Sequence, residues 1–160
     1  RGAVGDEFPV MFKIGMHDFI NGGLTPHESI KIVKWLARDG IDAIQVSAGC
    51  TANDFNCMKA DIKPGVDEAY FLGFAEMVKA NVDIPVIAVG GIRSLDTCQK
   101  ILSEGRSDYV SMARPFIREP LLMKLWKNGD TTPAKCISCN MCLRTPSEGN
   151  GIYCYQEHRA

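Results

Sequence analysis

The chain has 160 residues, with 18 Lys plus Arg against 19 Asp plus Glu and a formal net charge of −1 at pH 7. That balance supplies no field for steering nucleic acid or an anionic membrane. With 46% hydrophobic and 23% charged residues the composition is that of a folded domain, not a disordered one.

No apolar run approaches the roughly 18 residues of a spanning helix. No secretion signal is evident, so a cytoplasmic protein is expected. The sequence opens Arg1-Gly2-Ala3 without an initiator Met, as expected of a fragment. Two chemical regimes divide it. Residues 1–128 read as one body of alternating strand and helix patterns. Residues 129–160 form a Cys-, Gly- and Pro-rich tail with no sustained period.

Pro9-Val10-Met11-Phe12-Lys13-Ile14 is a short strand pattern. Thr25-Pro26-His27-Glu28 then carries the marks of a helix start: an N-cap Thr, Pro at the first helical position and Glu to close a capping box. Ile30, Val33, Leu36 and Ala37 make its apolar stripe, and Gly40 stands where a left-handed cap belongs. A second strand is expected over 41–47, followed by a long loop from Ala48 to Asp67, the kind that tends to be functional. A helix is expected from Glu68 to about Ala80, with Phe71, Phe74, Ala75 and Val78 inward. Pro85-Val86-Ile87-Ala88-Val89 reads as a strand buried on both faces. Ser94 caps the next helix, which carries Cys98, Ile101 and Leu102 and stops at Gly105. A fourth strand spans 108–112. A last helix from Glu119 to Lys127 presents Leu121, Leu122, Leu125 and Trp126.

Strand alternating with helix implies parallel strands joined by right-handed crossovers. An open doubly wound sheet and half of a (β/α)8 barrel both satisfy the pattern, and both place ligands at the C-terminal strand ends. Those ends hold the candidate chemistry. Gly90-Gly91, with a helix opening three residues later, suits an anion cradle of bare amides and a helix N-terminus, although a Gly pair also simply turns a chain. Arg114 follows the fourth strand, where a guanidinium could grip phosphate or pair with a carboxylate. Lys13 ends the first strand, facing either a ligand or solvent. His17 lies just past that strand, and Cys50 and Cys57 sit in the long loop with no partner base in view.

Of seven cysteines, Cys136, Cys139, Cys142 and Cys154 follow a C-x2-C-x2-C-x11-C spacing. An odd total with a tight terminal group speaks against a disulfide scaffold. Three close thiols plus one distant one suit a 4Fe–4S cluster better than a two-plus-two zinc site; zinc and ordinary free thiols remain open at this point.

Four segments together resemble the old yellow enzyme family of FMN-dependent NADH:flavin oxidoreductases. They are Gly23-Leu24-Thr25-Pro26-His27-Glu28-Ser29, the stretch 40–49, the stretch 84–92 and the stretch 108–117. Cys136-Ile137-Ser138-Cys139-Asn140 resembles the cluster-bearing subgroup that includes 2,4-dienoyl-CoA reductase and trimethylamine dehydrogenase. The resemblance implies a (β/α)8 barrel of which this chain supplies strands five to eight. It implies FMN, with its phosphate held by Gly90, Gly91, Ala113 and Arg114 and its ring edge beside Lys13, where the family usually has Arg. It further implies a 4Fe–4S cluster on the four tail cysteines, and hydride passing from NAD(P)H to an activated alkene or related small-molecule acceptor. The family's first four strands have no counterpart here, so a partner half-barrel or self-association is expected to cover the outer strands. Two other readings stand beside this one. One is a non-catalytic half-barrel that binds a phosphate ligand or a partner; the other is an electron-transfer or zinc module that uses only the tail.

Overall fold

The computed structural model describes residues 2–50, 58–149 and 151–158. Four strands form one parallel sheet: β1 (Met11–Gly15), β2 (Ala43–Ser47), β3 (Val86–Val89) and β4 (Tyr109–Ser111), in the order β1-β2-β3-β4. The helices between them are α1 (Pro26–Arg38), α2 (Leu72–Lys79) and α3 (Leu95–Ser103); α4 (Arg114–Arg118) and α5 (Leu122–Lys127) follow β4. A doubly wound sheet reverses its strand order at a switch point, which puts helices on both faces. Here the order never reverses, so right-handed crossovers carry every helix to one face. The architecture is therefore the barrel type, and four strands are half of its circuit.

Register separates the two faces. Ile14, Ile44, Val46, Val86 and Ala88 are buried beneath Val33 of α1, Leu72, Ala75 and Val78 of α2, Cys98 and Ile101 of α3, and Leu122 and Trp126 of α5. The opposite face carries the aligned row Lys13, Gln45, Ile87 and Tyr109. It is only partly covered: Tyr109 is 59% exposed, and Met11, which also lies on that face, is 65% exposed. The third strand was expected to be buried on both faces; instead Ile87 and Val89 are half-buried, because this face would form a barrel interior. Gln45 Nε2 donates to Ser111 Oγ at 2.7 Å, bridging over β3 on the same face.

Local chemistry explains most boundaries. Thr25 and Glu28 form the expected capping box, and Gly40 takes φ +90° after α1. Ser94 caps α3 and Gly105 ends it at φ +66°. Three expectations shift. The second helix starts at Leu72 rather than Glu68, because Glu68 turns away to serve other amides. In α5, which starts at Leu122, only Leu122 and Trp126 are buried, whereas Leu121 and Leu125 are exposed. Leu102 of α3 is also exposed. Arg114-Pro115 opens an unforeseen short helix, α4, with Pro in its first turn. The tail has three short 3-10 turns, and its Ala134 is buried in the main core, bonded through its amide to Arg93 O at 2.8 Å. Among the described residues no helix is long and apolar enough to cross a membrane.

Two stability measurements check this account. Ile44 is fully buried in an interior strand, so Ile44→Ala should cost about 2–5 kcal/mol in urea unfolding, whereas Leu121→Ala should stay within about 0.5 kcal/mol. Asp108 accepts from Lys79 Nζ at 2.5 Å and from the Val86 amide at 2.9 Å, and these bonds, the Lys79 contact first, hold its carboxyl below the usual value. A depressed carboxyl stabilises the fold above its unfolded pKa and loses that effect as pH falls through the folded one. The Tm of Asp108→Asn should therefore fall less between pH 6 and pH 3 than that of the wild type.

Candidate functional site

A parallel sheet sends the C-terminal ends of all its strands to one rim. There, a cleft of about 470 Å³ is lined by Lys13 and Gly15 from β1, Ser47 from β2, Val89 to Arg93 from the β3 exit and Ser111 to Pro115 from the β4 exit, with Met58, Tyr70 and Phe71 closing one side. All five residues singled out at the strand ends, Lys13, Gly90, Gly91, Ala113 and Arg114, line this one cavity. His17 and Cys50 do not. His17 Nδ1 accepts from the Phe19 amide at 2.6 Å, and Cys50 Sγ donates to Asp18 O at 3.5 Å. Cys57 lies outside the described residues.

The Gly pair is needed for backbone reasons. Gly90 and Gly91 have φ of +135° and +73°, conformations that L side chains rarely adopt. A Cβ at Gly91 would also come within 2.8 Å of the Tyr70 ring, and one at Gly90 within 3.2 Å of the Phe71 amide nitrogen. The close approach that these glycines permit is thus partly protein on protein.

One expected feature of the cradle is already used. The amides of Arg93 and Ser94 at the start of α3 both donate to Glu68 Oε2, at 2.8 and 3.1 Å, while Glu68 Oε1 accepts from Gly65 at 2.9 Å. Glu68 therefore takes the two amides that lead into α3, beside the Ser94 cap, while the Gly90–Gly91 and Ala113–Arg114 corners line the cleft.

Arg114 is 8% exposed, and its Nη1 donates to Lys59 O at 2.8 Å and to Asn140 Oδ1. It lines both the rim cleft and a small second pocket formed by the tail. That second pocket is lined by all four tail cysteines, Cys136, Cys139, Cys142 and Cys154, together with Tyr155 and Gln156. Non-glycine left-handed residues shape the loop: Ser138 (φ 54°) and Asn140 (φ 58°) alternate with the cysteines. Burial alone would raise the Cys139 thiol, but hydrogen bonds from the Met141 amide and the Gln156 side chain outweigh it and bring the thiol below its usual value. Cys142 goes the other way, raised by burial and by Cys136, with Arg114 opposing.

A single zinc ion would gather its sulfurs to about 4 Å from one another, given Zn–S bonds of about 2.3 Å. Among the described residues no three His, Cys, Asp or Glu side chains are arranged to hold one metal ion. All four thiols line one pocket, so the donor set of a four-thiolate centre is gathered in one place.

Arg93 belongs to this site and was not singled out from the sequence. It is 1% exposed: Nε donates to Gly91 O at 3.2 Å, Nη1 to Cys136 O and Nη2 to Ser138 Oγ. Burial, seconded by Arg114, pulls its pKa below the usual guanidinium value, with Cys136 and Glu68 opposing. The only sequence signal was its position directly after the Gly-Gly-Ile turn.

The fold and rim define half of a (β/α)8-type barrel with a cleft at the C-terminal ends of its strands, and comparison with known proteins agrees on the fold. The sequence profile of the NADH:flavin oxidoreductase / NADH oxidase family matches residues 1–132, and the chain belongs to that family. It is 36% identical over 143 residues to an NADH oxidase of Thermoanaerobacter brockii, covering 88% of this chain and 21% of the relative. Among solved structures it is similar to a 2-naphthoyl-CoA reductase complex (TM-score 0.79, 27% identity, 95% of this chain and 23% of that one). It is likewise similar to the 6-hydroxypseudooxynicotine amine oxidase of Pseudomonas geniculata N1 (TM-score 0.80, 28% identity, 97% and 23%). The chain thus spans about a fifth of the length of these relatives.

Glu68→Ala should cost about 1–3 kcal/mol in urea unfolding by leaving the Arg93 and Ser94 amides without their acceptor, and Glu68→Gln should recover most of that loss.

Proposed function

We propose that the chain is the phosphate-binding half of an FMN-dependent oxidoreductase that accepts electrons from NAD(P)H and passes them to an activated alkene or a related small-molecule acceptor. The observation that carries this reading is the convergence of Lys13, Gly90, Gly91, Ala113 and Arg114 on one cleft, at the C-terminal rim of a parallel half-barrel of this family. When bound, FMN would supply the hydride chemistry itself. The protein's task is to hold and polarise it.

Gly90, Gly91 and Ala113 bring backbone to the cleft at two adjacent strand exits, where peptide N–H groups suit phosphate oxygens. Arg114 adds a permanent charge at the same corner; its Nη1 is tied to Lys59 and Asn140, which fixes the plane of the fork. Lys13 stands on the inner face, in register with Gln45. An ammonium there would sit beside the ring edge and favour electron-rich flavin, without the planar fork of an Arg. In the tail, Cys136, Cys139, Cys142 and Cys154 would ligate a 4Fe–4S cluster that exchanges single electrons with the flavin. We read residues 1–128 as the half-barrel and 129–160 as the cluster-bearing tail of one larger, cytoplasmic enzyme. Other strands, from the same polypeptide or a partner, would complete its barrel.

The test is an absorbance spectrum of the full-length protein purified without oxygen, with iron and acid-labile sulfide analysis. Flavin absorbance near about 450 nm and a broad iron–sulfur shoulder are the expected result. A colourless protein that cannot be reconstituted with FMN would refute the reading. In fluorescence titrations Arg114→Ala should weaken FMN about 10- to 100-fold, the worth of one charge-assisted contact, and leave riboflavin, which has no phosphate, much less affected. Lys13→Met should lower the midpoint potential of the bound flavin.

A further inference from the structure

Arg93 presents an unusual account of charge. Its guanidinium is buried, yet its three donor contacts go to neutral acceptors: the Gly91 carbonyl, the Cys136 carbonyl and the Ser138 hydroxyl. Among the described residues no carboxylate is bonded to the guanidinium itself; Glu68 is close enough to favour its charge but spends its oxygens on backbone amides. A buried cation is costly unless anionic groups stand nearby. Besides Glu68, the tail thiols are the anionic groups toward which these contacts reach. Cys136 is bonded to Arg93 through its own carbonyl, and Cys139 follows Ser138 directly.

The contacts also have mechanical meaning. One side chain joins the Gly90–Gly91 turn to the cysteine loop, and it grips that loop at Ser138, whose left-handed backbone helps turn successive cysteines toward a common pocket. Arg114 repeats the arrangement one strand along, holding the second left-handed residue, Asn140.

We propose that Arg93 is the positioning residue of the cysteine site: it fixes the Cys136–Cys139 loop in ligating form and places a permanent positive charge beside the centre that the thiolates hold. This rests on the cluster reading above. A buried cation next to a cluster favours its more negative, reduced state, so Arg93 sets the cluster potential as well as its retention.

The experiment compares the full-length wild type with Arg93→Met, Arg93→Lys and Ser138→Ala. Iron and labile sulfide are measured per bound flavin, and the cluster potential is measured by anaerobic titration. Arg93→Met should retain iron about 10- to 100-fold less tightly against a chelator, the usual cost of losing a ligand's supporting partner, and its residual cluster should titrate at a lower potential. Arg93→Lys should restore the potential by keeping the charge, but only part of the retention, because an ammonium cannot fork between Cys136 and Ser138. Ser138→Ala leaves Arg93 in place, so it carries the test if Arg93→Met does not fold, and it should weaken retention with little change in potential. Wild-type retention and potential in both Arg93→Met and Ser138→Ala would overturn the proposal.

A wild type devoid of iron would refute the cluster reading alone. Alkylation of the tail thiols, mapped by peptide mass, then decides the positioning claim. Cys136 and Cys139 reacting about tenfold faster in Arg93→Met or Ser138→Ala supports it, as expected for a cost of about 1.4 kcal/mol to loop closure. Unchanged rates overturn it.

Discussion

The structure depends on one constraint: its strands are parallel and their order never reverses. Parallel pairing requires each chain segment to return over a helix, and the fixed hand of that return puts every helix on the same face. The same geometry brings four strand ends to one rim, so residues 13, 90, 91, 113 and 114, far apart in sequence, share a cleft. The other face bears Lys13, Gln45, Ser47 and Ser111, polar groups uncommon inside a parallel sheet. They make sense only as the interior of a barrel whose upper layer faces a ligand.

The rim shows how amides near a strand exit are used within the fold itself. Exposed amides at a helix start attract any carboxylate within reach, and the chain supplies its own in Glu68. That internal anion fixes the Gly90–Gly91 turn against α2's leading turn before any ligand arrives. The cost is that α2 begins four residues later than its periodicity suggests, with no side-chain cap of its own at Phe71. A helix boundary has been traded for the rigidity of a binding loop.

Much of this was legible from residues alone. The capping box at Thr25 and Glu28, the cap at Ser94 and the glycine stops at 40 and 105 are local chemistry, and local chemistry can be read directly. The barrel-type order was not: a strand–helix alternation fits two topologies, and only pairing decides between them. Leu102, Leu121 and Leu125 are apolar yet exposed, because an apolar residue on a helix is buried only if something lies opposite it. The role of Arg93 was hidden for the reverse reason. A charged residue beside a turn looks like surface, and only the tail folding back over the rim buries it. No spacing rule could have linked it to Cys136 across 43 positions.

The two arginines bring these threads together. Each leaves the C-terminal end of a strand, each is buried, and each reaches the same cysteine loop at one of its two left-handed residues. Among the described residues neither guanidinium is bonded to a carboxylate, although Glu68 and Cys136 favour the charge of Arg93. Two buried guanidinium groups near one another carry a cost that further anions would offset. A phosphate in the rim cleft and thiolates bearing a cluster are two anions of the right kind, one on each side of Arg114. On the reading proposed above, one wall of guanidinium groups would serve both cofactors.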